Sequence, residues 1–254
     1  VGVELPCRWL GFVLVMADEV RALVLVGVTG DGKSSTGNTL SAGSSFEVSA
    51  GLSSATQTCS HADYMLMQPL PAFYRVVDTL GLHDTGLPAA EVMARFSAFA
   101  AHTPFGIDAF VFVVRFGRFK PEHEAAFGSF VANCGEGALK HTVLVFTCCS
   151  SGEAELHAAV DATAPPALRA ILPRLGGGVV GVENMQDSAA GRRAVHAAVA
   201  TMIERNQGER YSNEALAEAR GRHDAKEEAE RAAFAAAVSD WRKGGSGPVK
   251  VVRE

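Results

Sequence analysis

The chain has 254 residues and a mass of 26.6 kDa, with 48% hydrophobic and 20% charged residues, a formal net charge of −5 and a pI near 5.9. Its apolar share excludes a disordered chain, its mild acidity argues against a dedicated nucleic-acid binder, and its length suits one α/β domain with or without a helical appendage. No apolar run approaches the ~20 residues of a membrane-spanning helix, and five scattered cysteines (Cys7, Cys59, Cys134, Cys148, Cys149) suit a reducing cytosol better than a disulfide framework.

Residues 1–15 (VGVELPCRWLGFVLV) are apolar but carry Glu4 and Arg8, and they read as an extension before a domain edge near Met16. Apolar, β-branched runs then predict strands over 22–27, 62–68, 74–79, 107–114, 142–147 and 179–183. Helical patterns lie between them at 33–41, 88–101, 121–133, 153–172 and 188–204. The alternation predicts a mostly parallel, doubly wound sheet with helices on both faces. The second strand is expected to run antiparallel, because a loop alone separates it from the first helix and the third strand follows closely.

After Arg205, residues 206–213 form a polar connector, and 214–241 reads as a long helix of Ala, Glu and Arg ended by Gly and Pro. That helix has room for about four heptads, but Ala fills most apolar positions and no clear coiled-coil seam emerges. The expected organisation is an N-terminal extension over 1–20, a nucleotide-type domain over 21–208, and a helical extension and tail over 209–254.

The strongest signal is Gly27-Val-Thr-Gly-Asp-Gly-Lys33-Ser34, which fits G-x-x-x-x-G-K-[ST] between a hydrophobic strand and a helix. Gly27, Gly30 and Gly32 free the backbone to turn N–H groups onto a β-phosphate, and the helix presents its positive N-terminal end to the same anion. Lys33 reaches the β- and γ-phosphates, and the Ser34 hydroxyl can ligate Mg²⁺. A second element, Asp78-Thr-Leu-Gly81, ends the third strand; its Asp can hold Mg²⁺ through water and its Gly N–H can bond a γ-phosphate. Between them, 41–61 is a polar loop suited to a switch, with Thr56 the candidate for Mg²⁺ and the γ-phosphate and Ser53, Ser54 and Thr58 as rivals. The Cys148–Cys149 pair has no second Cys or His pair at metal-ligand spacing. His61, His102, His123, His141, His157, His196 and His223 form no acid–base constellation and read as surface or helix residues.

In order, LVLVGVTGDGKSSTGNTL, ATQTC, VVDTLGLHDT, VVRFGRFKPEHEAAF, VLVFT, ENMQDSAAGRRAV and NQGERYSNEALAEA resemble the GIMAP/IAN GTPases, the AIG-type G domains similar to Toc GTPases and septins. The resemblance covers about residues 21–220. It implies a three-layer Ras-like P-loop G domain with GTP or GDP and Mg²⁺ as cofactors, and dimerisation across the nucleotide face. On it, the nucleotide contacts fall on Gly27, Thr29, Gly30, Asp31, Gly32, Lys33, Ser34 and Ser35 of the phosphate loop, and on Gly81, Thr147, Glu183 and Asn184. Metal ligands fall on Ser34, Thr56 and Asp78. Residues 115–120 (RFGRFK) match the family's own box, and Arg118 there is the candidate for a cation supplied to a second protomer; with Lys33 and Thr56 it completes the catalytic set. A surface or helix-capping role for Arg118 stays open beside that one.

Three departures from the family pattern matter. Leu80 stands where Pro is usual and His83 where Phe is usual. After the fifth strand, Thr147 is followed by Cys148-Cys-Ser-Ser-Gly-Glu153, with no Asp to read guanine and Glu153 the nearest acid. Leu82 stands where many G domains carry a water-orienting Gln, so slow hydrolysis stimulated by dimerisation is expected, with the protein acting as a nucleotide-controlled switch or scaffold. A pseudo-GTPase interaction protein and a P-loop ATPase remain as alternatives. The chain ends Val-Val-Arg-Glu without an apolar tail or lipidation box, so the expectation is a cytoplasmic protein, peripheral to a membrane only through segments beyond it.

Overall fold

Six strands among the described residues form one sheet in the order β2-β3-β1-β4-β5-β6. They are β1 (Arg21–Gly27), β2 (Ser60–Leu66), β3 (Ala72–Asp78), β4 (Ala109–Arg115), β5 (Thr142–Thr147) and β6 (Val179–Val182). This computed structural model describes residues 20–48, 59–79, 98–117, 119–186 and 188–242. β2 pairs antiparallel with β3 and every other pair is parallel, as expected. β5 is buried along its whole length and β1 and β4 along all but one residue, which is why they read as continuous apolar runs with no polar alternation.

Period-2 geometry divides these strands between two cores. Leu23 and Leu25 face one side with Val111, Val113, Val143 and Val145. There they meet α1 (Lys33–Ser41) through Leu40 and α5 (Ser188–Arg205) through Val195, Val199, Met202 and Ile203. Val24 and Val26 face the other side with Phe110, Phe112 and Phe146. That side is covered by Phe127 and Phe130 of α2 (Pro121–Cys134), by Leu156 and Val160 of α3 (Glu153–Thr163), and by Leu168 and Ile171 of α4 (Pro166–Ile171). The result is the three-layer Ras-like α/β architecture.

The helix expected over 153–172 is broken in two. Ala164 and Pro165 are extended, with ψ of 130° and 159°, between α3 and α4. The tandem Pro165–Pro166 explains this: proline disfavours a helical residue before it and removes the N–H that would bond back. A 3₁₀ segment over Leu172–Arg174 then carries the chain towards β6, and another over Glu136–His141 leads into β5. Of the helix expected over 88–101, only its last turn at 98–100 lies among the described residues.

The fourth strand starts two residues later than expected. Ile107 forms an isolated antiparallel bridge with Tyr211, from the stretch read as a polar connector. The Tyr211 hydroxyl donates to the Cys134 carbonyl at 2.8 Å. Beyond it α6 (Glu214–Arg242) contributes Leu216 and Ala219 to the core at 1% and 5% exposure. The histidines also differ from the reading: His123, His141 and His196 are buried. No helix among the described residues is long and apolar enough to cross a membrane.

Candidate functional site

β1 delivers the chain to the carboxyl edge of the sheet at Gly27, where φ is +138° and a side chain would meet the Val113 carbonyl oxygen at 2.3 Å. Only glycine fits so close to the neighbouring strand. The loop then turns, with Thr29 and Gly30 exposed at its tip, and reaches Gly32, which caps α1 in a left-handed conformation. No side-chain hydrogen bond caps that helix and no acidic residue stands in its first turn, and the dipole of such a start favours an anion. Lys33 is 7% exposed, and its Nζ donates to the carbonyls of Gly27 and Val28, each at 3.1 Å, arching back over the loop.

Ser34, the second residue of α1, donates its hydroxyl to Asp78 Oδ2 at 2.6 Å across 44 positions of sequence. Asp78 is the last residue of β3 and is paired in register with Leu25 of β1, which brings the carboxylate to the head of the phosphate loop. Thr79 donates its hydroxyl to the Leu25 carbonyl at 2.7 Å and holds the end of β3 there. A hydroxyl and a carboxylate side by side are hard oxygen donors of the kind Mg²⁺ prefers, so the residues present fit that ion. Thr56, Gly81 and Arg118, the other metal, γ-phosphate and catalytic candidates, lie outside the described residues, as do Leu80, Leu82 and His83.

The loops after β5 and β6 meet the same edge. Thr147 donates its hydroxyl to the Asp31 carbonyl at 2.7 Å, tying the fifth strand to the phosphate loop. Cys148, at φ +54°, is exposed, Cys149 is buried, and both are free thiols. Among the described residues no group of three or more His, Cys, Asp or Glu could hold a metal ion. Asn184 turns its side chain onto α1: Oδ1 accepts from the Thr39 hydroxyl at 2.7 Å and Nδ2 donates to that of Thr36 at 3.3 Å. Glu183 accepts from the Met185 N–H at 3.1 Å. Ser35 is half-buried in the first turn of α1. A cavity of about 670 Å³ lies beside edge strand β6 between α3 and α5, lined by residues 149–153 after β5 and by Glu183.

Sequence reasoning missed the partner of Asp31. His123 Nε2 lies 2.8 Å from Asp31 Oδ2, with the two side chains 2% and 10% exposed. Burial pushes the Asp31 carboxyl above its ordinary range, against the opposing pull of His123 and Lys33. The two residues stand 92 positions apart, and no local motif joins them.

A family model, the AIG1 family, matches residues 21–230. Immune-associated nucleotide-binding protein 10 of Arabidopsis thaliana is 30% identical over 133 residues, 52% of this chain and 28% of that protein. Immune-associated nucleotide-binding protein 9 of the same plant is 31% identical over 127 residues, 50% of this chain and 36% of that protein. The matches thus span about a third of those relatives' length. Toc33 from Arabidopsis thaliana, solved with Mg²⁺ and GMPPNP, aligns with a TM-score of 0.55 at 17% identity, covering 80% of this chain and 91% of that one. A structure for which dimerization is described as important for the GTPase activity of the chloroplast translocon components atToc33 and psToc159 aligns with a TM-score of 0.55 at 16% identity, over 80% and 89% of the chains. At these identities the likeness is one of fold.

Proposed function

The chain belongs to the AIG1 family, and from that premise we propose that it binds GTP and GDP with Mg²⁺, hydrolyses GTP slowly, and acts as a nucleotide-controlled switch or scaffold. One observation carries the reading: the Ser34 hydroxyl and Asp78 carboxylate lie 2.6 Å apart at the foot of a loop over which Lys33 folds back. Ser34, Asp78 and Thr56 would hold Mg²⁺, which would supply charge neutralisation to the phosphates. Lys33 and the amides of Gly30, Gly32 and Ser34 would bind the phosphate oxygens, and Ser35 and Gly81 would extend that shell. Thr147, Glu183 and Asn184 would contact the base.

Leu82 cannot orient water, so the unassisted rate is low. Arg118, from the R-F-G-R-F box, would supply a cation to a second protomer, a contribution worth ~10³–10⁵ in rate where it occurs. The dimerization described for atToc33 and psToc159 supports that reading. A second reading, a nucleotide-binding protein without useful hydrolysis, is favoured by the base loop, where Cys148–Glu153 contains no Asp.

Competition of GTP, ATP and XTP against fluorescent GDP with Mg²⁺ tests the proposal. GTP is expected to bind at least about a hundredfold more tightly than ATP, roughly 2.7 kcal/mol, and Lys33→Ala to abolish binding. Equal GTP and ATP affinities would move the chain to the ATPase reading, and normal binding by Lys33→Ala would overturn the phosphate-loop assignment. A GTPase rate per molecule that rises with protein concentration, and does so less in Arg118→Ala, separates the switch from the non-hydrolysing reading.

A further inference from the structure

We infer that His123 is a positioning residue for nucleotide binding: by holding the Asp31 carboxylate, it keeps the phosphate loop's own negative charge away from the nucleotide phosphates. This rests on the guanine-nucleotide reading above.

An acidic residue inside an anion-binding loop is an electrostatic conflict. Asp31 stands between Gly30 and Gly32 and two positions before Lys33, so its charge competes with a phosphate for the same lysine and the same amides. The carboxylate is buried against α2. Its residue is 8% exposed, and the imidazole of His123 meets it at 2.8 Å.

The hydrogen bonds assign the imidazole's form. The Lys120 backbone N–H donates to His123 Nδ1 at 2.9 Å, so Nδ1 is the acceptor. The ring proton therefore sits on Nε2 and is donated to Asp31 Oδ2. A hydrogen bond to an ionised group is among the stronger ones, and here both side chains are buried.

Several contacts orient the ring. The His123 backbone N–H donates to the Lys120 carbonyl at 2.9 Å, and the Phe119 ring stacks on the imidazole at 5.7 Å. The other end of Asp31 is tied by Thr147, whose hydroxyl donates to its carbonyl. Asp31 is thus held at its backbone by the last residue of β5 and at its side chain by the first turn of α2, which follows residues 115–120.

Asparagine at position 123 separates the two jobs of the imidazole. Its oxygen stands about where Nδ1 does and still accepts from Lys120, but its side chain is too short to reach Asp31. Affinity for GDP with Mg²⁺ is measured by competition against fluorescent GDP for the unmodified chain, His123→Asn, Asp31→Asn and the double variant, with a thermal melt of each. His123→Asn is expected to bind about tenfold more weakly. Asp31→Asn, which keeps an oxygen for the imidazole but removes the opposing charge itself, is expected to bind about two- to threefold more tightly than the unmodified chain. The double variant is expected to recover to that level, a rescue that a purely structural histidine would not produce. Unchanged affinity in His123→Asn, or a double variant no better than it, overturns the inference. So does a tenfold loss in Asp31→Asn alone, a result that does not depend on how His123→Asn folds. Absence of GDP binding by the unmodified chain overturns the nucleotide reading itself, and the inference with it.

Discussion

Gly27 carries two constraints at once. Its φ of +138° is closed to side-chain-bearing residues, and an added Cβ would sit 2.3 Å from the Val113 carbonyl oxygen, backbone that is locked into β4. Gly27→Ala is therefore expected to destabilise the chain by about 2 kcal/mol or more, read as a lower urea midpoint; an unchanged midpoint would contradict the close approach of β1 and β4. Lys33, Ser34 and Asp78 were legible from the sequence because their signals are local, a loop between a strand and a helix and an Asp at a strand end. His123 was not, because its role exists only where α2 crosses the phosphate loop, 92 residues from Asp31.

At the scale of elements, strands were easier to locate than helix ends. A strand buried on both faces is marked by its own residues, whereas the break between α3 and α4 depends on Pro165 and Pro166 acting on an otherwise helical pattern. The segment after Arg205 is the larger lesson. Its polar composition hides one buried tyrosine and one helical turn of apolar contacts, Tyr211, Leu216 and Ala219, that close the core on the α2 side. We expect Leu216→Ala to cost about 3 kcal/mol and Tyr211→Phe about 1 kcal/mol. Glu228→Ala, on the exposed part of α6, should change stability by less than about 0.5 kcal/mol. Denaturant titration of the three would show whether the domain extends past residue 208 in energetic terms; equal effects from Leu216 and Glu228 would mean that it does not.

For the molecule as a whole, buried histidines set the response to acid. Burial lowers the His196 pKa from 6.5 to about 4, and the ring lies 3.2 Å from the Tyr64 hydroxyl and edge-on to Tyr74. Burial also lowers the half-buried His102 and the buried His141. Between pH 6.5 and 4 the unfolded chain binds the protons that these rings refuse when folded. Their stabilisation is thus complete above 6.5 and is lost as pH falls, at up to about 1.4 kcal/mol per pH unit for one such group. Asp31, pushed upward, has the opposite sign and offsets part of this. Urea titrations across the window should show a shallower acid loss in His196→Gln than in the unmodified chain; parallel profiles would remove His196 as a source.

The sequence by itself determined the order of the strands, the phosphate loop, the Asp at the end of β3 and the family, because each is encoded within a short stretch by hydrophobic period or by glycines at required turns. Only the tertiary structure decided which distant groups share a site. Ser34 meets Asp78 because β1 and β3 pair in parallel register, Asn184 meets Thr36 and Thr39 because β6 ends beside α1, and His123 meets Asp31 because α2 packs on that edge. Such contacts depend on how the layers cross, and no spacing along the chain records that.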